Sequence, residues 1–128
     1  MSDYSNRIVP IKTPIHQQRD EEPKSPRPKL KADRHNQGKP KISMISSEFL
    51  LELTKVLEYG AKKYSRDNWK KGLPYTEVID SLTRHLLAFK DGEDIDDESK
   101  CLHLGHIAAN TMFLTYYLLK GDISNDDR

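Results

Sequence analysis

DGEDIDDESKCLHLGHIAAN (91–110) runs directly into TMFLTYYLLKG (111–121), and this stretch decides the fold. An α-helix advances about 100° per residue, so positions three, four and seven apart share a face. Counting back from Asn110, the residues His106, His103, Ser99 and Asp96 fall on one such stripe. Carboxylate, hydroxyl, two imidazoles and an amide cost free energy if buried without partners. They make sense around a metal ion or a polar ligand. The spacing predicts a helix over about 97–120, stopped by Gly121. Its second half, MFLTYYLLK, is apolar nearly all round, which implies burial on more than one side, including a subunit interface.

Upstream, a second helix is predicted from Thr76 to Asp91, with Gly92 as the stop. Val78, Ile79, Leu82, Leu86 and Phe89 form its expected buried face. His85 lies among them and points inward. A first helix is predicted from Ser47 to Tyr59, capped by Ser46 or Ser47, with Glu48 at its positive end. Phe49, Leu50, Leu53, Val56 and Leu57 recur there at helical spacing. Gly60 reads as a break, with one more turn to Tyr64, and 65–74 as a loop. Before it, Gly38-Lys39-Pro40 is turn chemistry, after which Ile42, Met44 and Ile45 begin the expected core. No alternating β pattern stands out, so the fold class is all-α, a small helical bundle.

The chain of 128 residues fits one domain. Its front differs from the rest. Residues 1–43 carry ten basic and five acidic side chains, and 44–128 carry eleven and fifteen. Five prolines stand in 1–30, which reads as a disordered, basic, Pro-rich tail. The folded domain is expected over 31–121, followed by an acidic tail over 122–128. Basic tails are more often solvated than bound, so no nucleic-acid partner is expected. Cys101 is the single cysteine, which excludes an internal disulfide and fits a reducing compartment. No apolar run approaches the ~20 residues of a membrane span, so no membrane partner is expected.

The residues that carry chemistry form three groups. Asp91, Glu93, Asp94, Asp96, Asp97 and Glu98 crowd into eight positions, and such a run is either solvated or gathered round a cation. His103 and His106 stand one turn apart, and with His85 they offer either satisfied core imidazoles or a mixed nitrogen–oxygen metal site. Such a donor set suits Mn, Fe, Co or Zn better than Mg alone. The histidines could instead contact phosphate or serve as a general base. Glu77 with Asp80, and Glu48 with Glu52, are carboxylate pairs that either face solvent or join a metal site. Lys62, Lys63, Arg66, Lys70 and Lys71 flank Tyr64, Asn68 and Trp69, a setting for phosphate and a stacked base. The alternative is a cationic surface with Trp69 in the core. Arg84 adds a phosphate clamp beside His85.

Taken together, GKPKISMI (38–45), EYGAKKYSRDNW (58–69), RHLLAFKDGEDIDDES (84–99) and HLGHIAANTMFL (103–114) resemble the phage dATP/dGTP diphosphohydrolases. That group, MazZ-like, is placed near the MazG-like all-α NTP pyrophosphohydrolases. The resemblance covers about 31–120 and rests on the motifs GAxKY, NW, RH, GExxDxES and HxxHxxxN in order. It implies a MazG-like helical bundle completed by forming a homodimer or homotetramer. It implies metal-dependent cleavage of dGTP or dATP to the monophosphate and pyrophosphate, in the cytoplasm of an infected bacterial host. Glu93, Asp96, Glu98, His103 and His106 would hold the metal, Mg or Mn, with Fe, Co or Zn open. His85 and Glu98 would serve catalysis. Lys63, Tyr64, Asn68, Trp69, Arg84 and Asn110 would bind the nucleotide. The chain departs from ordinary MazG-like enzymes by carrying histidines where those carry glutamates and an aspartate. A non-catalytic nucleotide-binding protein is the alternative.

Overall fold

A computed structural model describes residues 32–120 and 123–128. The expected tail over 1–30 lies outside the described residues. The chain divides at Ile45 into two compact units. In the first, Lys39 donates its backbone N–H to Asn36 across a turn, and a 3-10 turn covers Ile42–Met44. Ile42, Met44 and Ile45 are exposed there rather than core, because a single turn presents no face that three apolar side chains can bury.

The second unit holds three α-helices: α1 Ser47–Lys63, α2 Tyr75–Lys90 and α3 His103–Lys120. Among the described residues there is no strand, only an isolated bridge between Ile95 and Leu102. The all-α class is therefore as expected. Ser46 caps α1 by accepting the Phe49 backbone N–H at 3.1 Å. The helix runs unbroken through Gly60, since one glycine costs only about 1 kcal/mol in a helix interior.

Helix α3 packs against both α1 and α2 and organises the core. Val56, Cys101 and Ala109 form one buried cluster with Leu53, Leu57 and Phe113. Tyr75, Val78 and Tyr117 form another with Trp69, Leu73 and Phe113. The expected apolar face of α2 is corrected in part. Val78 is buried, but Ile79, Leu86 and Phe89 are exposed, as are Leu118 and Leu119 on α3. Helix α3 is the one that both other helices pack on, so α1 and α2 are each covered along a single stripe and the wider apolar surface stays open in one chain.

A 3-10 turn, Asn68–Lys71, fills the connection between α1 and α2. Beyond α3, Asn125 donates to the Leu73 carbonyl at 2.9 Å. Asp127 accepts the Thr76 backbone N–H at 2.9 Å and its hydroxyl at 2.7 Å. The segment read as an acidic tail thus has residues tied to the start of α2.

Candidate metal centre

The first correction concerns the stripe. Asp96 and Ser99 are not on α3, which begins at His103. They reach the same place through a tight loop. Asp96 donates its backbone N–H to Cys101 and accepts one from Lys100, each at 2.8 Å. His103 donates to the Asp94 carbonyl at 2.9 Å. Lys100 sits in the left-handed region at φ 61°, which turns the chain into α3.

This loop delivers Asp96 and Ser99 to the first turn of α3, opposite His85 on α2. Ser99 donates its backbone N–H to Asp96 Oδ2 at 2.9 Å, and its hydroxyl lies 2.7 Å from the same oxygen. The hydroxyl is also 2.6 Å from His106 Nε2. Burial pushes the Asp96 carboxyl up, but the Ser99 hydrogen bonds and the neighbouring imidazoles outweigh it, so it lies below the ordinary value. An ionised carboxylate only accepts. Ser99 therefore donates to Asp96, and His106 Nε2–H donates to Ser99. That chain fixes the His106 tautomer and leaves its Nδ1 as a lone pair.

His85 contacts both of the other histidines. The His85 and His106 rings stack at 4.1 Å with 3° between planes. His85 Nδ1 is 2.8 Å from His103 Nδ1. Burial drives the His85 pKa down to about 4, helped by His106 and His103. Burial also lowers that of His106, against the pull of Asp96. His85 is thus a neutral nitrogen donor at neutral pH. His103 is buried, and its Nε2 has no hydrogen-bond partner among the described residues. The nearest acidic oxygen is Glu93 Oε2, at 3.5 Å.

His85, Asp96 and His103 each present a ligand atom, all within 4.8 Å of one another. Two imidazole nitrogens and a carboxylate oxygen, with a buried nitrogen left unsatisfied, are a donor set that fits a borderline divalent ion. Glu93 borders this group, and Ser99 ties His106 to Asp96.

The remaining expected residues are spread over the surrounding elements. Glu98 accepts from Tyr59 at 3.0 Å and from Lys63 at 3.1 Å. The Lys63 hydrogen bond lowers the Glu98 pKa, and the same bond raises that of Lys63. Tyr64 is exposed, with Lys63 Nζ 5.6 Å from its ring. Asn68 opens the 3-10 turn. Trp69 stacks on Phe113 at 4.9 Å and meets Tyr116 edge-on at 5.0 Å, so its ring belongs to the aromatic cluster. Arg84 and Asn110 line a cleft beside α2 with Glu77, Asp80 and Ser81. Tyr59 and Ser81 are not among the site residues expected from the sequence. Ser81 stands four before His85, a spacing that could have flagged it.

An all-α domain with a histidine–carboxylate centre is the class that fold and site define. Residues 29–128 match the model of the family described as dATP/dGTP diphosphohydrolase, N-terminal, and the chain belongs to that family. A dATP/dGTP diphosphohydrolase of Salmonella phage PMBT28 is 38% identical over 93 residues, covering 73% of this chain. The chain spans 31% of that relative's length. No solved structure matches the chain.

Proposed function

We propose that this domain supplies the catalytic centre of a metal-dependent hydrolase that cuts dGTP or dATP to the monophosphate and pyrophosphate. The observation that carries the reading is His103: a buried imidazole with an unpartnered nitrogen, beside His85 and Asp96, in a member of this family. His85, Asp96 and His103 would hold the ion, with Glu93 alongside. Mn, Fe, Co or Zn suit the nitrogen donors, and Mg would lean on the carboxylates. A divalent ion supplies an acidified water and a counter-charge for the phosphates.

The side chains perform the rest. Asp96 is kept ionised and oriented by Ser99. His106, tied into the same chain, is positioned rather than free. His85, neutral at pH 7, is either a ligand or the base that takes the proton of the attacking water. Lys63 remains a cation and would face the outgoing phosphates, with Glu98 fixing its position. Arg84, next to His85, would meet the phosphates from the other side. For the nucleoside, two sets of groups offer themselves: Tyr64 with Asn68 beyond α1, and Asn110 in the cleft beside Arg84. The exposed Leu86, Leu118 and Leu119 support assembly as a homodimer or homotetramer. The setting is nucleotide metabolism in the cytoplasm of an infected host cell. Among the described residues no helix is long and apolar enough to cross a membrane.

The test is pyrophosphate release from each of the four dNTPs, with Mg and then Mn. We expect release from a purine dNTP that stops on chelation and falls at least about a hundredfold in His103→Ala. Tight nucleotide binding with no release under any metal would replace the hydrolase by a binding protein.

A further inference from the structure

The cleft beside α2 takes no part in holding the candidate metal. It encloses about 370 Å³, a size suited to a small ligand. Leu73 and Val78 give it apolar surface. Its polar lining is specific. Asn110 is only 7% exposed and donates Nδ2 to Ser81 Oγ at 3.2 Å. Glu77, Asp80 and Arg84 also line the cleft, and none of them pairs with another described residue. Opposite charges four and seven positions apart on one helix, left unpaired around a cavity, are available to a ligand.

The cleft is in line with the metal centre. Ser81 precedes His85 by four residues and Glu77 precedes it by eight, about 6 and 12 Å along the helix axis. Asn110 follows His106 by four on α3. A nucleotide with its α-phosphate at His85 would therefore reach the Glu77 end with its base.

We propose that this cleft is the base subsite, and that Glu77 and Asp80 read the Watson–Crick edge of guanine. The inference rests on the nucleotide reading above. Guanine presents two adjacent donors on that edge, N1–H and the exocyclic amino group, and a carboxylate accepts both side by side. Adenine turns the N1 lone pair to the same place, where it meets carboxylate lone pairs. Leu73 and Val78 supply apolar contact to the ring. Ser81 and Asn110 sit where the sugar would lie, and Arg84 stands between cleft and metal centre, beside the phosphates. The site is thus selective for guanine over adenine.

The experiment compares pyrophosphate release from dGTP, dITP and dATP by the full chain and by its Glu77→Gln and Asp80→Asn variants. Inosine keeps N1–H and lacks the amino group. The unmodified chain should favour dGTP over dITP by roughly tenfold or more in kcat/KM. Each carboxamide variant should shrink that preference, mainly by raising KM for dGTP, with an unchanged circular dichroism spectrum. Preference retained in both variants overturns the assignment while leaving the hydrolase reading intact. Loss of the preference in Tyr64→Ala instead overturns it by moving the base to the end of α1. No release from any dNTP by the unmodified chain overturns the hydrolase reading, and this inference with it.

Discussion

At the scale of single residues, Gly105 shows how closely the site depends on backbone contact. It lies between His103 and His106, where α1 crosses α3. A Cβ there would stand 3.0 Å from the Glu52 carbonyl oxygen and 3.1 Å from Val56 Cγ2. Alanine gains about 1 kcal/mol of helix propensity over glycine. Overpacking against a rigid backbone costs typically ~1–3 kcal/mol. The second effect should win, because the obstacle is a helix backbone rather than a side-chain tip. Gly105→Ala is therefore expected to lose about 1 kcal/mol of stability, read from urea unfolding. A gain would show that α1 slides aside without penalty. The same residue sets how closely α1 approaches α3: a larger side chain there would hold the helices apart.

Individual elements show local signals being completed from elsewhere. Helix α2 begins after Pro74, which has no side chain able to cap it. Asp127, fifty-one positions on from Thr76, supplies the missing acceptor for the Thr76 backbone N–H. The hydrogen bonds from Thr76 also hold the Asp127 carboxyl below its ordinary value. Asp127→Ala should lower the Tm and speed amide exchange at the first turn of α2, with little change at α1. Unaltered exchange at Thr76 would mean that water caps the helix equally well. The loop before α3 follows similar logic. It was read as helix because its polar residues keep helical spacing. The left-handed Lys100, the Asp96 N–H donated to the Cys101 carbonyl and the Lys100 N–H donated to the Asp96 carbonyl show a compact turn that brings the same side chains to the same face.

For the whole molecule, the part-buried His85 and His106 couple folding to pH. His85 has an ordinary pKa of 6.5 and a folded value of about 4. Between those values the unfolded chain binds the proton that the folded chain refuses. Stability therefore rises with pH across that window. It should be intact above about 6.5 and fall as the pH drops toward 4. His106, shifted the same way by burial, adds to the slope. Thermal melts in chelator from pH 7.5 to 4.5 should show a falling Tm, with a shallower fall in His85→Gln. Equal slopes in the two proteins would assign the acid sensitivity to other groups.

How much was legible in the sequence depends on the range of the interaction. Helical periodicity and capping are local, so the three helices, the all-α class and the inward turn of His85 followed from the order of residues. The motifs RH, GExxDxES and HxxHxxxN contain the residues that meet at the centre, His85, Asp96, Ser99, His103 and His106. Only the tertiary structure decided how they meet. It placed Asp96 and Ser99 in a loop rather than on α3, because backbone hydrogen bonds within that loop replaced the helical ones. It turned Glu98 to Lys63, and packed Trp69 among aromatic rings from α3. It left Ile79, Leu86 and Phe89 open, because which stripe of an apolar helix is covered depends on how many neighbours it has. It also set Glu77 and Asp80 around a cleft with Asn110. Spacing along one helix cannot reveal that juxtaposition, because the cavity exists only once α2 and α3 are side by side.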